Sequence, residues 1–143
     1  MAGLAELKRS HAHHLGLVTK ELPLLSNLSA WQNIALINQY HENLGIKKSY
    51  ETALDLLTRL GIESVAHKRN PQLSEEEIFF VKLIRAVMFL DAKIAIDRPF
   101  RQVGESLHPE LLHQHLQTLS RYYLRCFIFD YQSNQERYTS FNL

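Results

Sequence analysis

The 143-residue chain has one cysteine, Cys126, which excludes an internal disulfide framework and any Cys-rich zinc site. That residue sits in an apolar run, where a thiol is expected to be buried and inert. Glycine is also scarce, with five residues at positions 3, 16, 45, 61 and 104. No two are five apart and none precedes a lysine, so the loop G-x-x-x-x-G-K-[ST], whose backbone N–H groups cradle phosphates, is missing from the sequence. Charge of one sign is lacking too. Sixteen Lys and Arg face 15 Asp and Glu, a net charge of +1, which leaves no general attraction to nucleic acid or a membrane surface. No apolar run approaches the ~20 residues that cross a bilayer, and Met1 to His14 has no apolar signal core. A cytoplasmic protein without direct membrane insertion is expected.

What is present suits a packed domain. Apolar residues make up 45% and charged residues 22%, enough to expect one real core at this length. The sequence reads as a single domain over 1–143, with 1–13 loosely ordered apart from a helical tendency at Leu4 and Leu7. His14 to Thr19 is short and apolar and reads as a buried strand. Residues 21–29 read as a loop carrying four leucines. Trp31, Ile34, Ile37 and Leu44 share a face of a helix over 30–44. Tyr50, Ala53, Leu54, Leu57 and Leu60 mark a second helix, with Ser49 as its cap and Gly61 as its left-handed stop.

The clearest local signal is Leu73-Ser74-Glu75-Glu76-Glu77-Ile78. Ser74 and Glu77 form an S-x-x-E capping box, and Leu73 with Ile78 fits a hydrophobic staple. A helix is expected from Glu75 through Phe89. Lys93 to Asp97 and Leu124 to Asp130 read as strands, and Pro109 opens a helix whose inner face holds Leu112, Leu116, Leu119 and Tyr123. Strands alternating with helices predict an α/β fold, rich in helix, with a short parallel sheet of about three strands.

Other chemistry finds little support. His11, His13 and His14 are candidates for a transition metal, since imidazole suits zinc, copper and nickel, but only Glu6 and Glu21 lie near enough to complete a set. An exposed cluster without a metal is the expectation, and no cofactor is assigned. His113 and His115 point to different faces of one helix. There is no G-x-S-x-G turn for a hydrolase nucleophile. Lys47, Lys48, Lys68 and Arg69 have no interleaved aromatic stripe, so nucleic acid is not an expected partner.

Five segments in order resemble the ATP-binding domains of ABC transporters. Gly16–Leu28 (GLVTKELPLLSNL) resembles the Q-loop strand and loop, and Ser29–Leu36 (SAWQNIAL) the start of the helical subdomain. Pro71–Met88 (PQLSEEEIFFVKLIRAVM) resembles the signature motif, Ile94–Phe100 (IAIDRPF) the Walker B strand, and Phe127–Asp130 (FIFD) the switch-histidine strand. The resemblance implies a helical-subdomain-like part at 29–90 and a Walker B and switch-strand part at 91–143.

It also implies which positions carried chemistry. The Q-loop glutamine falls on Lys20, whose ammonium has no acceptor for a metal. The signature survives as Leu73, Ser74 and Glu77, while Glu75 and Glu76 replace two glycines. Such carboxylates would repel a triphosphate by about 4 kcal/mol per unit-charge pair at about 4 Å and an effective dielectric of about 20. Asp97 matches the Walker B aspartate, but the following catalytic base is Arg98, which cannot accept a proton. The switch histidine is Phe129. The sequence thus predicts a degenerate, truncated family member without catalytic residues, acting as a binding or regulatory subunit and not as an enzyme. The expected partner is a second copy or a transporter's membrane or ATPase subunit, with membrane association only through that partner. By the same resemblance, Leu22, Leu24, Leu25, Leu28 and Trp31 are the candidate partner-binding residues. The alternatives are an α/β interaction module unrelated to transport, or a histidine-based metal protein.

Overall fold

A computed structural model describes residues 4, 15–41 and 45–141. Three strands form one parallel sheet: β1 (Leu15–Val18), β2 (Ala92–Asp97) and β3 (Tyr123–Phe129), in the order β1-β2-β3. Leu17 lies beside Ala95, and Ala95 beside Phe127. Each crossover carries helices, as parallel pairing requires. The sheet and helix content expected from the sequence are both present.

The helices are α1 (Ala30–His41), α2 (Ile46–Arg59), α3 (Glu75–Ala86), α4 (Pro99–Val103) and α5 (Pro109–Thr118). Helix α3 lies at the centre. Phe79 to Ile84 are all buried, as expected of a helix surrounded by other elements. It packs beneath β1 so closely that a Cβ built on Gly16 would sit 2.2 Å from the Ala86 carbonyl oxygen. Only glycine permits that approach. The main core joins Ile94 and Ile96 of β2 to Phe79, Phe80 and Leu83 of α3 and to Leu56 and Leu57 of α2. On the other face of the sheet, Leu4 packs with Leu15 and Ala95, flanked by Leu17 and Phe129.

Several boundaries differ from the sequence expectation. Helix α2 starts after Gly45, and Ser49 is a buried residue within it rather than its cap. Its hydroxyl has no hydrogen-bond partner among the described residues. Gly61 does take a left-handed φ of 73°. Helix α3 ends at Ala86 and not at Phe89. Residues 42–44, expected to extend α1, lie outside the described residues, as do Leu7, His11, His13 and His14. Not expected were the short helix α4 and four 3-10 helices among the described residues, of which Gln132–Tyr138 is the longest.

Candidate functional site

In parallel sheets, ligands gather at the carboxyl ends of the strands. Here those ends bring together Lys20 after β1, Asp97 and Arg98 at the end of β2, and Phe129 to Tyr131 at the end of β3. Asp97 is 5% exposed, so its carboxylate needs partners. Arg98 provides them from the next position in the chain. Its Nε donates to Asp97 Oδ1 and its Nη2 to Oδ2, both at 3.0 Å. Each carboxylate oxygen is therefore engaged by a guanidinium, the arrangement that suits bidentate pairing.

This pairing comes with an unusual backbone. Arg98 takes φ 46° and ψ 67°, a left-handed conformation uncommon for a side chain of this size. Its N–H donates to the Phe129 carbonyl oxygen at 2.6 Å, which ties the turn to β3. Tyr131 accepts from Arg98 Nη1 at 3.1 Å and from Arg101 Nη1 at 3.3 Å. The hydrogen bond from Arg98 and the two positive charges pull the Tyr131 hydroxyl below the usual tyrosine range. Gln102 closes the floor, donating through Nε2 to the carbonyl oxygens of Val18 at 2.9 Å and Asp97 at 2.6 Å. The space left among Lys20, Glu21, Asp97, Arg98, Arg101 and Gln102 is about 30 Å³, room for a water or two.

Phe129 turns onto the second core beside Ala95 and Leu17. Asp130, which follows it, is engaged by its own 3-10 helix. Its side chain accepts from Tyr131 N and Asn134 Nδ2, and Tyr138 donates to its second oxygen.

Ser74 and Glu77 lie elsewhere. They border a separate groove of about 370 Å³ with Leu60, Glu76, Leu111 and His115. The capping box forms: Ser74 Oγ accepts from Glu77 N at 3.1 Å, and Glu77 Oε1 accepts from Ser74 N at 2.8 Å. With Glu75 and Glu76 also in the first turn, the positive end of α3 is matched by side chains of its own.

The leucine loop is held from below by residues that sequence reasoning did not identify. Lys82 is 6% exposed and its Nζ donates to the Thr19 carbonyl oxygen at 3.0 Å. Burial lowers its pKa. One turn on, Arg85 donates to the Leu22 and Pro23 carbonyl oxygens at 2.6 and 2.9 Å. Asn33 accepts from Leu25 N at 2.8 Å and donates to the carbonyl oxygens of Leu25 and Ser29. The loop presents Leu22 and Leu25 at 45% and 49% exposure. Leu24, also a sequence candidate for partner binding, is 4% exposed and belongs to the main core. Leu28 is half-buried, and Trp31 packs edge-to-face on Tyr50 at 5.0 Å. A lone Lys and Arg three apart in the apolar run FFVKLIRA were the available signal for the clamp.

Among the described residues, no three His, Cys, Asp or Glu side chains are arranged to hold a metal, and no helix is long and apolar enough to cross a membrane.

An open parallel sheet with a helix beneath it, an aspartate closing its central strand and a capped helix start on a separate face fit an ATP-binding-cassette fold. No family model matches the chain. Over 96 residues it is 35% identical to the macrolide export ATP-binding/permease protein MacB of Pectobacterium atrosepticum, a stretch covering 67% of this chain and 14% of that protein. A dimeric post-hydrolysis structure of the ATP-binding cassette MJ0796 with ADP and Pi superposes with TM-score 0.68 at 22% identity, covering 91% of this chain and 57% of that one. A second dimeric structure of that cassette gives 0.67, with 93% and 59% covered. The chain thus spans about one seventh of its curated relative and under three fifths of these cassettes. It is a relative of the ABC transporter ATP-binding domains.

Proposed function

We propose that this chain is a non-catalytic, ABC-ATPase-like binding or regulatory subunit. One observation carries the reading: both oxygens of Asp97 are held by Arg98. A divalent cation would have to displace a guanidinium tethered one residue away. The glutamates on the first turn of α3 oppose a phosphate at the other motif that matches the family. The residue that follows Asp97, where the resemblance places the catalytic base, is Arg98, which cannot accept a proton from water.

The retained function is then a surface. Lys82, Arg85 and Asn33 fix the backbone of 19–29 while leaving Leu22 and Leu25 outward, which suits docking of an apolar partner segment. The relative MacB is named as an ATP-binding/permease protein, so a transporter's membrane part is the partner class favoured. Calorimetric titration of the purified chain with Mg–ATP is expected to give no heat of binding and no released phosphate. Micromolar binding or turnover would overturn the reading.

A further inference from the structure

Two asparagines of α1 are buried, and the fold treats them unequally. Asn33 is 1% exposed and its whole side chain is engaged. It accepts from Leu25 N and donates to the carbonyl oxygens of Leu25, Leu28 and Ser29. Asn38, at 3% exposed, makes no side-chain hydrogen bond among the described residues. Most buried polar side chains are paired, so two N–H donors and an acceptor oxygen left unmatched ask for a partner. Among the described residues, the Ser49 hydroxyl alone is both sealed from solvent and unpartnered. The Asn38 amide is therefore not sealed, and the residue lines a groove of about 360 Å³, a size that suits a small molecule.

The groove lies at the amino ends of β2 and β3, the far end of the sheet from Asp97. Leu56 and Met88 of the main core wall it, beside the half-buried ring of Tyr122. Two other polar groups along it are already committed. Thr52 Oγ1 donates to the Lys48 carbonyl oxygen and the Tyr123 hydroxyl to that of Leu116. Its one acid and one base, Asp91 and Arg121, are both exposed and of opposite sign, so the groove makes no net demand for charge.

We propose that this groove binds a neutral aromatic carboxamide, whose amide pairs with that of Asn38. The chemistry of the walls selects this class. Asn38 offers a donor and an acceptor from one planar group, and a second carboxamide answers both with two hydrogen bonds. A carboxylate answers only the donors and an ammonium only the acceptor, and each sets a charge against apolar walls. A flat ring suits the Tyr122 ring and the adaptable Met88 side chain. The inference does not depend on whether the chain binds nucleotide at the other end of the sheet.

Benzamide is the probe, and acetophenone, which keeps the ring and carbonyl but lacks the N–H donors, is its control. In NMR titration of the whole chain, benzamide should shift the Asn38 side-chain amide signals saturably. A Kd in the millimolar range is expected for so small a ligand. Methyl signals of Leu56 and Met88 should move with it. Acetophenone should bind about fivefold more weakly, the effect of roughly one hydrogen bond. Asn38→Leu should weaken benzamide alone and so erase the difference. Equal binding of both probes to the natural chain would mean an apolar crevice without polar recognition, and would overturn the proposal. So would the absence of a saturable shift at Asn38, which would leave water as its partner, or shifts confined to the Asp97 end. None of these outcomes bears on the non-catalytic reading, which the Mg–ATP titration tests separately.

Discussion

The start of α3 and the end of β2 both carry residues that family resemblance links to nucleotide chemistry, yet the fold treats them differently. At α3 every local rule is obeyed. Ser74 has an ordinary extended φ of −73°, its hydroxyl and the Glu77 carboxylate exchange hydrogen bonds with the backbone, and three glutamates face the positive helix end. At β2 a local rule is broken. Arg98 holds φ at 46° so that its guanidinium can fold back on Asp97. The first segment is ordinary helix-start structure. The second has an unusual backbone turn whose carboxylate is occupied by a built-in cation.

Both regions depend on one contact, the seating of β1 on α3, and breaking it should have the largest effect. Gly16→Ala forces a Cβ to within 2.2 Å of the Ala86 carbonyl oxygen, backbone against backbone. A loss of about 3 kcal/mol is expected in urea unfolding, the upper part of the range for overpacked cores. A loss under about 1 kcal/mol would mean that β1 and α3 part readily, for such losses are ordinary for any substitution.

The β2 end is the next test. Arg98→Ala leaves the buried Asp97 carboxylate without its guanidinium, and a partner left charged and unpaired is the costly outcome. The urea midpoint should fall clearly, and adding Asp97→Asn should recover part of the loss. If the double variant is as unstable as the sum of the two single variants, the pair is not coupled and the comparison fails at that end. At α3 the effect should be smaller. Ser74→Ala removes one cap hydrogen bond and should cost about 1 kcal/mol.

Much of this was legible in the residues, and the exceptions share a cause. The capping box at Ser74 was readable because its partners sit three apart and need nothing else. The strands at 15–18, 92–97 and 123–129 were readable as short apolar runs between helical patterns. Ser49 misled because a serine before a periodic stretch looks like a cap, whereas tertiary packing carried the helix back to Ile46 and buried it. The clamps from Lys82 to Thr19 and from Arg85 to Leu22 span 63 positions each, and no local pattern can announce such a pairing. The same holds for Gln102, which reaches Val18 across 84 positions. The identity of Arg98 was legible, but its left-handed turn and its bond to Phe129 across the sheet were not.

The smallest expected effect concerns the groove beside Ser74. His115 packs edge-on against Phe80, with ring centroids 4.6 Å apart, and burial lowers its pKa. In the unfolded chain it takes up a proton near pH 6.5, while the folded state resists until lower pH. The unfolded state therefore binds more protons in that window, and stability must fall as pH drops below about 6.5. Other histidines contribute to the raw slope, so the difference between the natural chain and His115→Phe is the useful measure. That variant should lose less stability between neutral and mildly acidic pH. Equal slopes would mean that the groove is wet enough for His115 to charge freely, and that the α3–α5 contact beneath the capping box is looser than its aromatic packing implies.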